Sequence, residues 1–254
     1  MLKKIKINEK WEREHFDRLA KRYERQYDYT NPFTKYKFKK KIDKFVDFVR
    51  LSFGEKAEIK ILEIGCGTGA YTVRYAERLP KADIMAIDIS SEMIKVARKK
   101  GRARNNLIYQ EGSAYKTGFK DSSFDVVCGF YILHHLNLQA VIKEIDRVLK
   151  PGGLIYFYEP NILNPIVFLI KSNNFVKGLI GDSHEEWAIN PLKVPSDWKG
   201  FKIVEVKTTE FIWPASFVSY RGKLFLDRIS SWLFGKLPIL SLLGGSVEIC
   251  LKKK

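Results

Sequence analysis

Ile61-Leu62-Glu63-Ile64-Gly65-Cys66-Gly67-Thr68-Gly69 is a short apolar run that stops at three glycines set at alternate positions. Glycine lets the backbone enter left-handed conformations and lets a ligand approach main chain that a side chain would shield. A helix-period segment follows to about Leu79, and Ile84–Ile87 then forms a second apolar run that ends on Asp88. That acid lies nineteen residues beyond Gly69. At a strand end it suits a ribose, because a carboxylate can accept from both hydroxyls.

The spacing narrows the ligand. A dinucleotide site wants G-x-G-x-x-G, with a helix N-terminus facing a pyrophosphate. Here the order is G-x-G-x-G, and Glu63 sits two residues before the first glycine. A carboxylate repels a pyrophosphate and attracts a cationic amino-acid head. The loop therefore points to a sulfonium amino-acid nucleoside rather than a nicotinamide dinucleotide.

Working outward, residues 8–53 carry helical periodicity. Asn8 is a candidate cap, Trp11, His15, Phe16, Leu19 and Tyr23 recur at helical steps, and Asn31-Pro32 breaks the pattern. Phe38, Ile42, Phe45, Val46 and Val49 form a second stripe, which Gly54 ends. Beyond Asp88 the pattern predicts a helix over Ser90–Lys100 and strands at Leu107–Tyr109 and Phe124–Phe130. A helix from Asn137 to Leu149 follows, then a turn at Pro151-Gly152-Gly153 into a strand over Leu154–Tyr158. Strands alternating with helices predict a parallel sheet covered on both faces. The rhythm is lost after Glu159, where Pro160, Pro165, Pro191 and Pro195 suggest an inserted cap with a helix near 163–172. Phe201–Phe211 and Ser246–Leu251 read as closing strands, and Ser216–Leu237 as an aromatic-rich amphipathic helix.

The expected architecture is α/β: a doubly wound, mostly parallel seven-stranded sheet with N-terminal helices and an inserted helical lid. Residues 1–54 would cover a cofactor cleft and 55–160 would form the cofactor-binding core. Residues 161–200 would make the lid over an acceptor site, and 201–254 would complete the sheet.

The 254 residues are 45% apolar, which supports a sizeable core and excludes a disordered or collagen-like chain. Cys66, Cys128 and Cys250 are too scattered for a disulfide framework. Four histidines without a Cys/His cluster argue against a structural metal, and none is expected. The start, MLKKIKINEKWERE, lacks the apolar run of a secretory signal, and no stretch reaches the roughly 18–20 residues of a spanning helix. A cytoplasmic protein, able to sit on a membrane surface, is expected. The net charge is +16, densest in residues 1–60, with 18 basic against 10 acidic residues. Two runs stand out, Lys35 to Lys44 and Lys95 to Arg104. Such charge attracts nucleic acid, anionic lipid or an acidic substrate, or is simply a solvated exterior.

From about Phe16 to Tyr158 the chain resembles the class I S-adenosylmethionine-dependent methyltransferases, most of all the subgroup acting on quinones, sterols and other small molecules. Glu63-Ile64-Gly65-Cys66-Gly67-Thr68-Gly69 is similar to their first motif, and Ala86-Ile87-Asp88-Ile89-Ser90 with Met93 to their second. Phe124-Asp125-Val126-Val127, His134-His135 and Pro151-Gly152-Gly153 match later landmarks. The resemblance implies a Rossmann-like fold and S-adenosyl-L-methionine as cofactor, leaving S-adenosyl-L-homocysteine as product. It implies that Asp88 holds the ribose and Ile89 packs on the adenine, with Glu63, Gly65, Cys66, Gly67, Gly69, Met93, Ala114 and Phe130 around the rest. Phe16–Tyr23 resembles the family's N-terminal helix, whose tyrosine, here Tyr23, closes over the cofactor. One departure stands out. The family has Gly-Asp-Ala where this chain has Gly112-Ser113-Ala114. Ser113 could accept from the adenine amino group, but without charge and with a shorter reach, so weaker cofactor binding is expected.

Methyl transfer from a sulfonium asks mainly for alignment of nucleophile, methyl and sulfur. A base is needed only if the acceptor loses a proton. His134 and His135, at the carboxyl edge of the sheet, are candidates for base or acceptor contact, or for loop packing. Glu159 could orient an acceptor hydroxyl or cap the following turn. Tyr131 reads as wall, and Cys66 as a small residue beside the cofactor. The lid is apolar (Ile162, Leu163, Ile166, Val167, Phe168, Leu169, Phe175, Trp187) and favours a small-molecule or lipid acceptor over a charged polymer. Phe211–Trp213 and Phe217–Phe234, with Arg221, Lys223, Arg228 and Lys236, could meet an anionic membrane or form core or a dimer contact. An RNA methyltransferase using the basic N-terminal surface ranks below, and a non-catalytic cofactor-binding protein is the remaining alternative.

Overall fold

Two helices precede the sheet. The computed structural model describes residues 9–26, 31–55, 57–180, 187–210 and 219–254, with the side chains of 21–26, 179–180 and 238–239 outside that description. The expected cap Asn8 and the apolar segment 211–218 therefore lie outside the described residues. Helix α1 spans Glu9–Gln26 and α2 spans Pro32–Phe53. Asn31 starts α2 by accepting from the N–H groups of Phe33 and Thr34, and Pro32 occupies a position whose N–H would be orphaned anyway. Gly54, at φ 89°, ends it and donates its N–H to the Arg50 carbonyl. Between these caps Phe38, Ile42, Phe45, Val46 and Val49 are buried at three- and four-residue steps. Burying each such side chain contributes on the order of 1.5–3 kcal/mol before entropy is counted.

The core then alternates: β1 (Lys60–Ile64), α3 (Ala70–Arg78), β2 (Asp83–Asp88), α4 (Ser91–Gly101), β3 (Leu107–Glu111), β4 (Phe124–Phe130), α5 (Leu138–Val148) and β5 (Leu149–Pro160). Helices α6 (Pro165–Ser172), α7 (Asn174–Ile180) and α8 (Val194–Asp197) follow β5. Strand β6 (Phe201–Thr209), helices α9 (Tyr220–Lys236) and α10 (Pro238–Ser241), and β7 (Ser246–Lys253) complete the chain order. The sheet has seven strands in the order β3-β2-β1-β4-β5-β7-β6. β1 to β5 run parallel, and β7 is antiparallel to both β5 and β6. The expected doubly wound, mostly parallel sheet is the architecture found.

Side chains alternate between the two faces. Ile61, Val126, Cys128, Tyr156 and Tyr158 pack with α2, α3 and α4; Leu62, Ile64, Val127, Ile155 and Phe157 pack with α5 and Trp198. Pro151-Gly152-Gly153 is not the free turn the sequence suggests. β5 begins at Leu149, which pairs with Phe124, and the register slips before Leu154 pairs with Val126.

All parallel strands end on one edge. From the β3 side this edge carries Gly112, Asp88, the Gly65 loop, Phe130 and Tyr131, and then Pro160. Ser246 pairs with Pro160 on one side and Thr209 on the other, so Glu210, one residue beyond β6, joins the same edge. A crevice at this edge is where open α/β sheets bind ligands.

Candidate active site

The edge opens into a cavity of about 500 Å³ roofed by α1 and α2. Its lining includes Glu63, Gly65, Cys66, Gly67, Asp88, Ile89, Met93, Ala114, Phe130, His134 and His135 among the residues expected from the sequence. Gly69, Ser113 and Glu159 are not on the wall, and the Tyr23 side chain lies outside the described residues.

Glycine is required where the backbone turns left-handed. Gly65 has φ 66°, and a Cβ there would lie 2.3 Å from the Ile132 side chain. Gly69 has φ 70° and starts α3, and its Cβ would meet the Tyr109 hydroxyl at 2.3 Å. Gly67 has φ 53° and faces open space, so its missing side chain leaves room in the cavity.

Two acids sit under the loop. Asp88 accepts from Gly67 N–H at 2.7 Å and from Ser90 N–H at 2.9 Å. Burial raises its pKa, and these two N–H groups and His135 work against that rise. Glu63 is 1% exposed and accepts from the Tyr75 hydroxyl at 2.7 Å. Burial pushes its pKa up to about 7, while Thr72 and Tyr75 hold it down. Burial also raises the Cys66 thiol well above its ordinary value, so Cys66 is no ready thiolate.

Helix α1 is pinned across this end by its own acids. Asp17 accepts from Ser90 Oγ at 2.5 Å and from Glu92 N–H at 3.3 Å, joining Ser90 in capping α4. Arg13 pairs with Glu111 at the end of β3. Ser113 Oγ donates to Glu9 of α1 and accepts from Tyr115 N–H at 3.1 Å. One of the hydroxyl's two acceptor lone pairs is thus used, and a carboxylate, Glu9, lines the cavity beside it.

Glu159 is wholly buried. Its Oε1 accepts from Ile132 N–H at 2.9 Å and Leu133 N–H at 2.8 Å, and its Oε2 lies 2.7 Å from His134 Nδ1. Burial pushes its pKa up to about 7 against these donors. Glu159 therefore orients His134 and the turn after β4, and it presents no surface to an acceptor. His135 Nδ1 is 3.4 Å from Glu12 of α1, and its ring packs edge-on to Phe16 at 5.2 Å.

Sequence reasoning missed the far end of the cavity. Lys37 and Lys41 of α2 and Glu210 line it, beside Tyr131, which the sequence marks as wall. The Lys35–Lys44 run looks like a solvated or nucleic-acid-facing surface, yet Lys37 and Lys41 reach Glu210, Lys39 reaches Asp43, Lys40 reaches Asp227, and Lys44 reaches Glu248. Helical spacing placed Lys37 and Lys41 on one face, which was the available signal. Tyr131 has φ 58°, unusual for a residue with a side chain, and such outliers cluster at functional edges. Among the described residues no group of three or more His, Cys, Asp or Glu could hold a metal, and no helix is long and apolar enough to cross a membrane.

Residues 62–157 match the family model for a methyltransferase domain. Demethylmenaquinone methyltransferase of Chlorobaculum parvum is 40% identical over 133 residues, covering 50% of this chain and 53% of that protein. The Staphylococcus aureus protein of the same name is 33% identical over 113 residues, covering 44% and 47%. The chain spans about half the length of the curated relatives it matches. Magnesium protoporphyrin IX methyltransferase of Synechocystis, solved with bound SAH, superimposes with a TM-score of 0.67 at 15% identity, covering 97% of this chain and 99% of that one. A SAM-dependent methyltransferase structure from Thermotoga maritima gives 0.62 at 20% identity, covering 95% and 99%. These structures share the fold.

Proposed function

We infer from the class I S-adenosylmethionine-dependent methyltransferase domain that this chain carries at residues 62–157 that it moves a methyl group from S-adenosylmethionine to a small-molecule or lipid-like acceptor. The observation that carries this reading is the glycine loop, with open room at Gly67 between Glu63 and Asp88 in one cavity. The donor set fits the group: two acids flank the loop that would hold its cationic head and ribose, and Ile89 and Met93 supply apolar wall.

When bound, S-adenosylmethionine supplies an already activated methyl with a neutral thioether as leaving group. The chain's residues do the rest. Glu63 carries the charge that pairs with an ammonium, Asp88 accepts from ribose hydroxyls, and α1 and α2 exclude water. His134, held by Glu159 through Nδ1, lines the cavity and is the candidate for taking a proton from the acceptor. Exposed apolar residues, Phe175 on α7 and Phe225 and Trp232 on α9, the latter helix also carrying Arg221 and Lys236, support a lipid-like acceptor. The relatives named demethylmenaquinone methyltransferase support a quinone-like one.

Calorimetry with S-adenosylhomocysteine and a methyl-transfer screen over phenolic, quinone-like and lipid acceptors test the reading. Absence of cofactor-product binding would remove it. Binding should also be pH-linked. A bound ammonium favours ionised Glu63, whose pKa is raised to about 7. Affinity should therefore rise as pH climbs toward about 7 and level off above, with proton release on binding at pH 6.

Glu9 offers a further check. If it supplies the acceptor that Ser113 lacks, Glu9→Gln should weaken binding by roughly tenfold, since a bond to a charged group contributes about 1.5–3 kcal/mol. The same change should leave unaltered the binding of an analogue with oxygen in place of the adenine amine.

A further inference from the structure

Helix α9 shows an apolar face to solvent. At about 100° per residue, Phe225, Leu226, Ile229, Trp232 and Leu233 fall within an arc of about 120°. All five are exposed, Phe225 by 63% and Trp232 by 61%. The rotation of the helix is fixed from its other side. Asp227 is 1% exposed and accepts from the Tyr36 hydroxyl at 3.1 Å and from Lys40 Nζ at 2.8 Å, both on α2. Apolar exposure continues beyond α9. Leu240 and Leu243 are exposed, and Asn161 and Asn164 donate their side-chain N–H groups to the Leu242 and Leu243 carbonyls at 2.7 and 2.6 Å. This ties the segment to the start of α6, which exposes Ile166, Phe168 and Leu169. The charge here is of one sign. Residues 219–245 hold Arg221, Lys223, Arg228 and Lys236 against a single acid, Asp227, which Lys40 pairs, and residues 161–172 hold no acid. Arg221 and Arg228 are exposed and fall together along one border of the apolar arc. Lys236 is exposed as well, with Nζ 4.5 Å from the centre of the Trp232 ring.

We propose that α9, with Leu240, Leu243 and α6 beside it, docks on an anionic lipid bilayer, its apolar arc immersed and Arg221, Arg228 and Lys236 at the headgroups. Contiguous apolar side chains in water mark an interaction surface. A bilayer satisfies both parts of the pattern: the acyl boundary takes the arc, and anionic headgroups take the guanidinium and ammonium groups. Lys236 fits this place, its stem along apolar surface and its charge reaching outward. A second copy of the same face would bring the same three cations and no exposed acid on α9, so the face repels itself. A nucleic acid would meet the cations but leave Phe225 and Trp232 in water. The face also borders the cavity, because Lys223 sits over the ring of Phe33 at 5.6 Å and Phe33 lines that cavity. Docking needs no cofactor, so it stands apart from the methyl-transfer reading.

The test is sedimentation of the full chain with vesicles of phosphatidylcholine, with and without about a third phosphatidylglycerol. The chain should bind the anionic vesicles at least roughly tenfold more tightly than the neutral ones, and added salt should weaken that binding. Phe225→Ser with Trp232→Ser should lower it at least about tenfold, and so should Arg221→Glu with Arg228→Glu. Lys99→Glu with Arg102→Glu makes the same change in net charge on the exposed end of α4 and should leave binding within about twofold of the parent. Equal binding to the two vesicle types, an unchanged Phe225/Trp232 variant, or an equal loss in the α4 variant would overturn the proposal. So would a parent dimer that the Phe225/Trp232 change turns into monomers, which would give the face to a second copy. Calorimetry with S-adenosylhomocysteine on the same samples keeps the two readings apart: its failure removes methyl transfer, whereas vesicle binding is read without it.

Discussion

Asp88→Ala should lower affinity for S-adenosylhomocysteine by roughly a hundredfold, since bonds to a charged acceptor contribute about 1.5–3 kcal/mol each. Two losses combine. The ribose hydroxyls lose their shared acceptor, and the Gly67 and Ser90 N–H groups lose the carboxylate that draws the glycine loop toward β2. The disturbance does not end there, because Ser90 also bonds Asp17 of α1. Asp88→Asn keeps one acceptor oxygen and should lose about tenfold. Calorimetry decides: an alanine variant within threefold of the parent would exclude the ribose role.

Glu159→Ala should lower stability by about 3 kcal/mol or more, because it strands the Ile132 and Leu133 N–H groups and the His134 ring nitrogen, which all face one buried carboxyl group. For a chain of this size that is a fall in Tm of roughly 6–12 °C. Turnover should fall at least about tenfold with cofactor affinity nearly intact, since His134 would lose the partner that turns it. Glu159→Gln supplies the pH test. The parent carboxyl binds its proton up to about pH 7 in the fold and releases it near 4.5 when unfolded. Between those values the folded state holds the extra proton, so the parent loses stability as pH rises. The glutamine variant has no such dependence, and its Tm should gain on the parent's between pH 5 and pH 8. A constant difference across that range would mean that Glu159 ionises normally.

Much of the fold could be read locally. Ile61–Ile64, Ile84–Ile87 and Phe124–Phe130 are mostly apolar runs of strand length, and Asn137 announces a helix by capping it, while Asn31, read only as a break, proves to cap α2. The cofactor end of the cavity was legible for the same reason: its glycines and Asp88 lie within one crossover. The acceptor end was not. Lys37 and Lys41 come from α2, Tyr131 from the end of β4 and Glu210 from the end of β6. Their meeting depends on β7 bringing β6 to the common edge. Helical spacing groups Lys37 with Lys41 on one face, but a lysine run does not say that this face turns inward. Glu159 likewise reads as an edge acid, and only the packed turn after β4 shows that its oxygens are occupied.

That placement of β7 has a consequence for how the protein is made. β6 forms none of its sheet pairs with β1–β5; it is attached through β7, which lies between it and β5. While the ribosome is still adding residues 220–245, β5 has an open flank and β6 has no neighbour. Glu210 cannot yet reach its place opposite Lys41. The nucleotide half can assemble during translation, but the half that would choose the acceptor must wait for synthesis of Ser246–Lys253. A nascent chain halted before that point should hold the cofactor product yet show no preference among acceptors.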